Sequence, residues 1–196
     1  MHNKFEEQRS GRNKNTIINK SYIDSGEYRN KFDAISNSSS LNRLLYKLAK
    51  KTLIHRSGSM LEDMYWINPI TWCIEAKETD NIQEKMIIYS SNTMKTVENY
   101  KDNKQGVSLL TLHSHPSSFP PSINDLNSNF ENDYGLGVIA CHNGKIFLYD
   151  SHEKIEPDYY NLVVANNIRS GYNEFDAQIE ALQKISKHFE IKVKEV

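Results

Sequence analysis

The chain has 196 residues, enough for one sizeable hydrophobic core even with a disordered end discounted. Its formal net charge of -1 excludes a general electrostatic pull towards nucleic acid or an anionic membrane, so neither is an expected partner. No apolar run is long enough for a transmembrane helix and no charged-then-apolar leader is seen, so a cytoplasmic protein is expected.

Residues 1–38 are expected to form a flexible lead-in with one short docking helix, and residues 39–196 the functional domain. Up to Asn19 the chain is polar and aperiodic. Its basic residues Lys4, Arg9, Arg12, Lys14 and Lys20 read as a solvated tail. Tyr22, Tyr28, Phe32 and Ile35 are spaced for the docking helix, and Asn37 to Ser40 then breaks the chain. Leu41, Leu44, Leu45, Leu48 and Leu53 recur at helical spacing, with Gly58 suited to the helix end. Met64 to Ile67 and Thr71 to Ala76 read as a hairpin around Asn68-Pro69-Ile70. Lys85 to Tyr89 is expected to be a further strand, and Asn92 to cap a helix through Tyr100.

Val107 to Leu112 reads as a buried strand that delivers His113 and His115 at its end, with Pro116 stopping it. Ser122 and Asp125 mark a helix start of the capping-box type. Gly135 to Cys141 and Lys145 to Tyr149 are two strands joined through Asn143-Gly144, a strong hairpin signal. Pro157 opens a helix that ends at Ser170-Gly171. Asn173 caps a second one with the stripe Phe175, Ile179, Leu182, Ile185 and Phe189. The tail from Ile191 alternates like an edge strand. Cys73 and Cys141 make no disulfide framework and lie in strand-like runs, which reads as core packing. Strands and helices mix without regular βαβ alternation, which points to an α/β sandwich around a mainly antiparallel, mixed sheet flanked by helices.

The chemistry concentrates in His113-Ser-His115-Pro followed by Ser122-x-x-Asp125. Residues two apart on an extended chain share a face, so both imidazoles can bite one ion. Asp125 is aimed from a rigid first turn. Two imidazoles and a carboxylate fit the ligand set of a catalytic zinc, with a fourth position for water. Bound zinc lowers that water's pKa towards about 7 and polarises a carbonyl, which makes amide hydrolysis feasible at neutral pH. His142 and His152 read as turn or surface residues and stay outside the site.

The segment HSHPSSFPPSIND resembles the JAMM motif, also called JAB or MPN+, of zinc metallopeptidases: a distant Glu, then His-x-His-Pro, then Ser-x-x-Asp. The loop between His115 and Asp125 is about one residue shorter than is usual in that family, a tighter loop with both motif halves intact. The resemblance implies a cytidine-deaminase-like JAMM sandwich, with zinc on His113, His115 and Asp125, and Ser122 stabilising the tetrahedral oxyanion. It also implies an upstream Glu as general base. Glu62, before the strand-like Met64 to Ile67, is the leading candidate; Asp63, Glu75 and Glu78 compete with it. The words YIDSGEYRNKF, HRSGSMLEDMYWI and GYNEFDAQIEALQKISKHF are similar to bacterial JAMM-domain proteins of phage or prophage context.

The expected function is thus a zinc peptidase or isopeptidase acting on a protein or peptide, such as a ubiquitin-like conjugate, a phage structural protein or a cell-wall peptide. A JAMM-fold interaction module without catalysis is the alternative from another class. RadC-like proteins carry a similar pattern and imply a DNA-associated role, against which the near-neutral charge and the lack of a basic stripe weigh.

Overall fold

A computed structural model describes residues 16–102 and 107–196. Of the expected flexible lead-in, residues 1–15 lie outside the described residues. The elements run α1 (Lys20–Ile23), α2 (Gly26–Asp33), α3 (Ser39–Arg56), β1 (Met64–Ile67), β2 (Ile74–Glu78), α4 (Ser91–Asp102), β3 (Leu110–His115), α5 (Ile123–Glu131), β4 (Gly137–Cys141), β5 (Ile146–Ser151), α6 (Pro157–Arg169), α7 (Glu174–Ile185) and β6 (Ile191–Glu195). Six strands form one sheet in the order β2-β1-β3-β4-β5-β6. Only β3 and β4 pair in parallel, and every other neighbouring pair is antiparallel. The chain is therefore an α/β fold on a mixed, mainly antiparallel sheet.

Alternation along the strands sorts side chains to two faces. Leu110 and Leu112 of β3, Tyr65 and Ile67 of β1, and Val138 and Ala140 of β4 turn towards helices α1 to α3. Ile23, Tyr28 and Phe32 are buried in that same cluster with Leu45 and Leu53, so the packing continues across residue 38. The docking helix is in fact two helices, each started by a side-chain cap, Asn19 on Tyr22 N–H and Ser25 on Tyr28 N–H. On the opposite face, Ile139 and Cys141 of β4 and Phe147 and Tyr149 of β5 meet Leu126 of α5, Tyr160 of α6, and Ala181, Leu182 and Ile185 of α7. Further along that face Met64, Trp66 and Ala76 meet Val97 of α4 and Tyr134. His113 lies between these two clusters, across from Met64 in the β1–β3 register and edge-on to the Tyr149 ring.

Several sequence expectations shift. The strand begins at Leu110 rather than Val107 and runs through both histidines to His115, paired with β1 as far as His113 and with β4 to its end. The first hairpin opens later than Thr71. Trp72 has φ 59° and its N–H returns to the Asn68 carbonyl at 2.8 Å, so the turn absorbs residues through Cys73. Cys73 is accordingly exposed, not core, whereas Cys141 is buried. Lys85 to Tyr89 is not a strand. Ile87 and Tyr89 do pack against the core while Met86 and Ile88 face out, but the only pairing there is an isolated bridge between Leu61 and Glu84. Alternation alone makes no ladder when no sheet edge runs alongside. Ser90, not Asn92, caps α4, its hydroxyl accepting from Thr93 N–H at 3.3 Å.

Gly137 faces Tyr149 across the β4–β5 pair, and a methyl group there would run into the Tyr149 ring. Gly137→Ala is expected to destabilise the protein by about 1–3 kcal/mol through overpacking, as measured by urea unfolding. Unchanged stability would contradict this packing.

Candidate metal centre

Since residues two apart on β3 share a face, His113 and His115 project together, with ring centroids 4.9 Å apart and planes at 65°. Their Nε2 atoms approach to 3.2 Å. The Phe119 carbonyl lies 3.2 Å from His115 Nδ1. Donation from Nδ1 to that carbonyl leaves Nε2 with its lone pair, the tautomer a metal ligand needs. His113 Nδ1 is buried and has no partner among the described residues.

The third group arrives from α5. Ser122 is its N-cap: the hydroxyl accepts from Asp125 N–H at 3.2 Å, and the Asp125 carboxylate accepts from Ser122 N–H at 2.7 Å. The Ser122 hydroxyl also donates to Asp125 Oδ2 at 2.7 Å. The helix itself is clamped by two buried asparagines. Asn127 exchanges two hydrogen bonds with the Ile155 backbone, at 2.9 Å each, and Asn129 bridges the Gly135 carbonyl and Ser151 N–H. So held, Asp125 sets Oδ1 at 3.4 Å from His113 Nε2 and Oδ2 at 3.4 Å from His115 Nε2.

These spacings have a simple reading. Donors about 2.0–2.1 Å from a tetrahedral ion lie about 3.3–3.4 Å from one another. Ligand atoms of His113, His115 and Asp125 all lie within 4.8 Å of one another, and this is the one such cluster among the described residues. The three side chains can hold a metal ion, and three is the ligand count that leaves a coordination position for solvent or substrate.

Electrostatics point the same way. Burial alone would raise the Asp125 carboxyl, but His113 and then His115 hold it well below the usual carboxylate range. Burial would lower His115, yet Asp125 and Glu62 outweigh it and push the imidazole up to about 9.

Glu62 sits just before β1. Met64 pairs with His113 in the antiparallel register, and the same register carried two residues further sets Glu62 opposite His115. Asp63 fixes this arrangement: its carbonyl accepts from Ser114 N–H and its N–H donates to the Ser114 hydroxyl, both at 3.1 Å. Its buried carboxylate meets Arg56 Nε and, at 2.7 Å, His55 Nδ1, while Arg56 also donates to the Thr79 carbonyl at 2.6 Å. Glu62 is only 8% exposed. Burial is the main influence raising its carboxyl, with Asp125 adding to it and the two imidazoles opposing.

His113, His115, Asp125, Glu62 and Ser122 all line one cleft of about 1010 Å³. Asp63, Glu75 and Glu78 do not line it. Asp63 is consumed by Arg56 and His55, Glu78 accepts from Ser90 N–H at 2.8 Å, and Glu75 interacts with the Tyr100 hydroxyl. His142 Nδ1 faces the Thr16 carbonyl at 2.6 Å and His152 pairs with Asp150, so neither joins the cluster. Tyr89, Tyr134, Tyr149 and Glu174 also line the cleft and went unnoticed in sequence. In sequence Tyr89, Tyr149 and Glu174 look like ordinary strand or helix residues and Tyr134 like a loop residue before a strand. No helix among the described residues is long and apolar enough to cross a membrane. Comparison of the chain with protein-family models, with curated proteins and with solved structures returns no match.

Metal must displace the proton that His115 holds below about pH 9, so apparent affinity is expected to rise as pH climbs from 6.5 towards 9. His113→Ala or Asp125→Ala should weaken binding at least about 100-fold. Competition with a chromophoric chelator measures both. An affinity independent of pH, or equal in wild type and variants, would remove the ligand assignment.

Proposed function

We propose that this chain is a zinc-dependent hydrolase of amide bonds, a peptidase or isopeptidase of the JAMM type acting on a protein or peptide. The observation that carries the reading is the position of Glu62, a buried carboxylate across from His115 in the cleft that the three metal-binding side chains also line. A non-catalytic interaction module has no need of such a group.

Zinc suits the donor set, because borderline imidazole nitrogen with one carboxylate and no thiolate is the composition of hydrolytic zinc sites. When bound, the ion supplies an acidified water and a polarised substrate carbonyl. Everything else falls to the protein. Glu62 takes up a proton and hands it to the departing amine, and its carboxyl, raised by burial, is suited to both halves of that exchange. His115 is kept in the ligating tautomer by the Phe119 carbonyl.

Ser122 orients Asp125 through its hydroxyl in the resting site. That hydroxyl has a single hydrogen, so donating to a developing oxyanion requires it to turn away from Asp125. The cytidine-deaminase-like JAMM sandwich is supported by the element order: a Glu before one strand, the histidine pair at the end of its antiparallel neighbour, and the Ser-x-x-Asp helix returning over the same face.

Glu62→Gln should keep full metal content and lose cleavage by about 100-fold or more, read by mass spectrometry on an unstructured peptide library. Cleavage equal to wild type would move the base elsewhere and withdraw this mechanism.

A further inference from the structure

The wall of the cleft on the Glu62 side is built largely from methionine. The chain has five methionines, and Met60, Met64 and Met86 line this one cleft, joined by Ile87. The fold brings them together for definite reasons. Met64 lies directly across from His113 and shares its face of the sheet. Met60 precedes it by four residues, and its carbonyl accepts from Lys85 N–H at 2.9 Å, while Leu61 bridges Glu84. That pairing draws the segment carrying Met86 and Ile87 alongside Met60. The Asn81 side-chain amide donates to the Met86 carbonyl at 2.7 Å and fixes the segment from its other side.

Met64 is core, at 6% exposure, but Met86 is 53% exposed, and Met60 and Ile87 are half-buried. An apolar surface open to solvent beside a metal cluster calls for an occupant, and methionine is an unbranched, polarizable lining that adapts to varied apolar shapes. The α7 side of the cleft carries Glu174 and Gln178, with the Phe119 ring 6.2 Å from that of Phe175. A ligand seated over the metal-binding side chains thus meets methionine on the Glu62 side of the cleft.

We infer that Met60, Met86 and Ile87 form a subsite for one large apolar side chain, such as leucine or phenylalanine, of a peptide lying across the metal-binding side chains. The inference rests on the peptidase reading for the identity of its ligand, but binding tests it separately from cleavage. Full-length Glu62→Gln protein carrying [methyl-¹³C]methionine, loaded with zinc, is titrated with N-acetyl tripeptide amides bearing leucine, serine or aspartate at the centre. Met94, 49% exposed on α4, is the control signal. The leucine peptide should shift the Met60 and Met86 methyls, leave Met94 in place, and bind at least about tenfold more tightly than the serine peptide. Met86→Asp should abolish that preference without changing zinc content.

Equal shifts from all three peptides, or shifts that include Met94, would overturn the subsite. Wild-type protein and the same peptides separate the two readings. Selective binding with no cleavage leaves the subsite standing and removes the hydrolase; cleavage with no selective binding does the reverse.

Discussion

Parallel strands cannot be joined by a tight turn, and this constraint brings Asp125 to the histidines. β3 and β4 run in parallel, so the chain must leave β3 at His115, travel back over the sheet and re-enter at Gly137. The return path is α5, which packs Leu126 on the same face from which both imidazoles project. Its first turn therefore lies over the end of β3. The capping box that starts the helix and the carboxylate that faces the histidines are one residue, Asp125, so local helix stability and site geometry are set by the same hydrogen bonds.

The opposite side of the site depends on a buried charge. Asp63 carries its carboxylate into the core, where it is tolerable only because Arg56 and His55 meet it there. Removing one partner of such a group costs about 3–5 kcal/mol, far more than the intact pair contributes. What the arrangement provides is position. Asp63 ties the end of α3 and the serine between the two histidines to a single point, and through Arg56 the residue after β2. Glu62, its neighbour in the chain, is carried to the cleft by that alternation, while Asp63 is turned away from it.

Much of this was legible in the sequence because it is local. A two-residue spacing at a strand end, a capping box and an Asn-Gly turn each state their geometry within a few positions, and each has its counterpart in the fold. The hairpin turn differs in one detail, since Gly144 alone takes a positive φ there. What was not legible depended on distant partners. Lys85 to Tyr89 has the alternation of a strand and lacks the neighbouring edge. Glu62 leads Asp63 in sequence without a contact to separate them, and the separation comes from Arg56, which pairs with Asp63. Asn127 and Asn129 look like the solvated face of a helix, yet they are buried clamps that fix its orientation. The methionine wall escaped notice for the same reason, its members being separated by a turn and a long excursion of the chain.

The proposed chemistry depends on two imidazoles and one carboxylate sharing an ion. X-ray absorption at the zinc edge of the loaded protein tests that directly. The predicted spectrum has a nitrogen and oxygen shell at about 2.0–2.1 Å with outer-shell scattering from two imidazole rings. A shell without imidazole scattering, or one containing sulfur at about 2.3 Å, would contradict it.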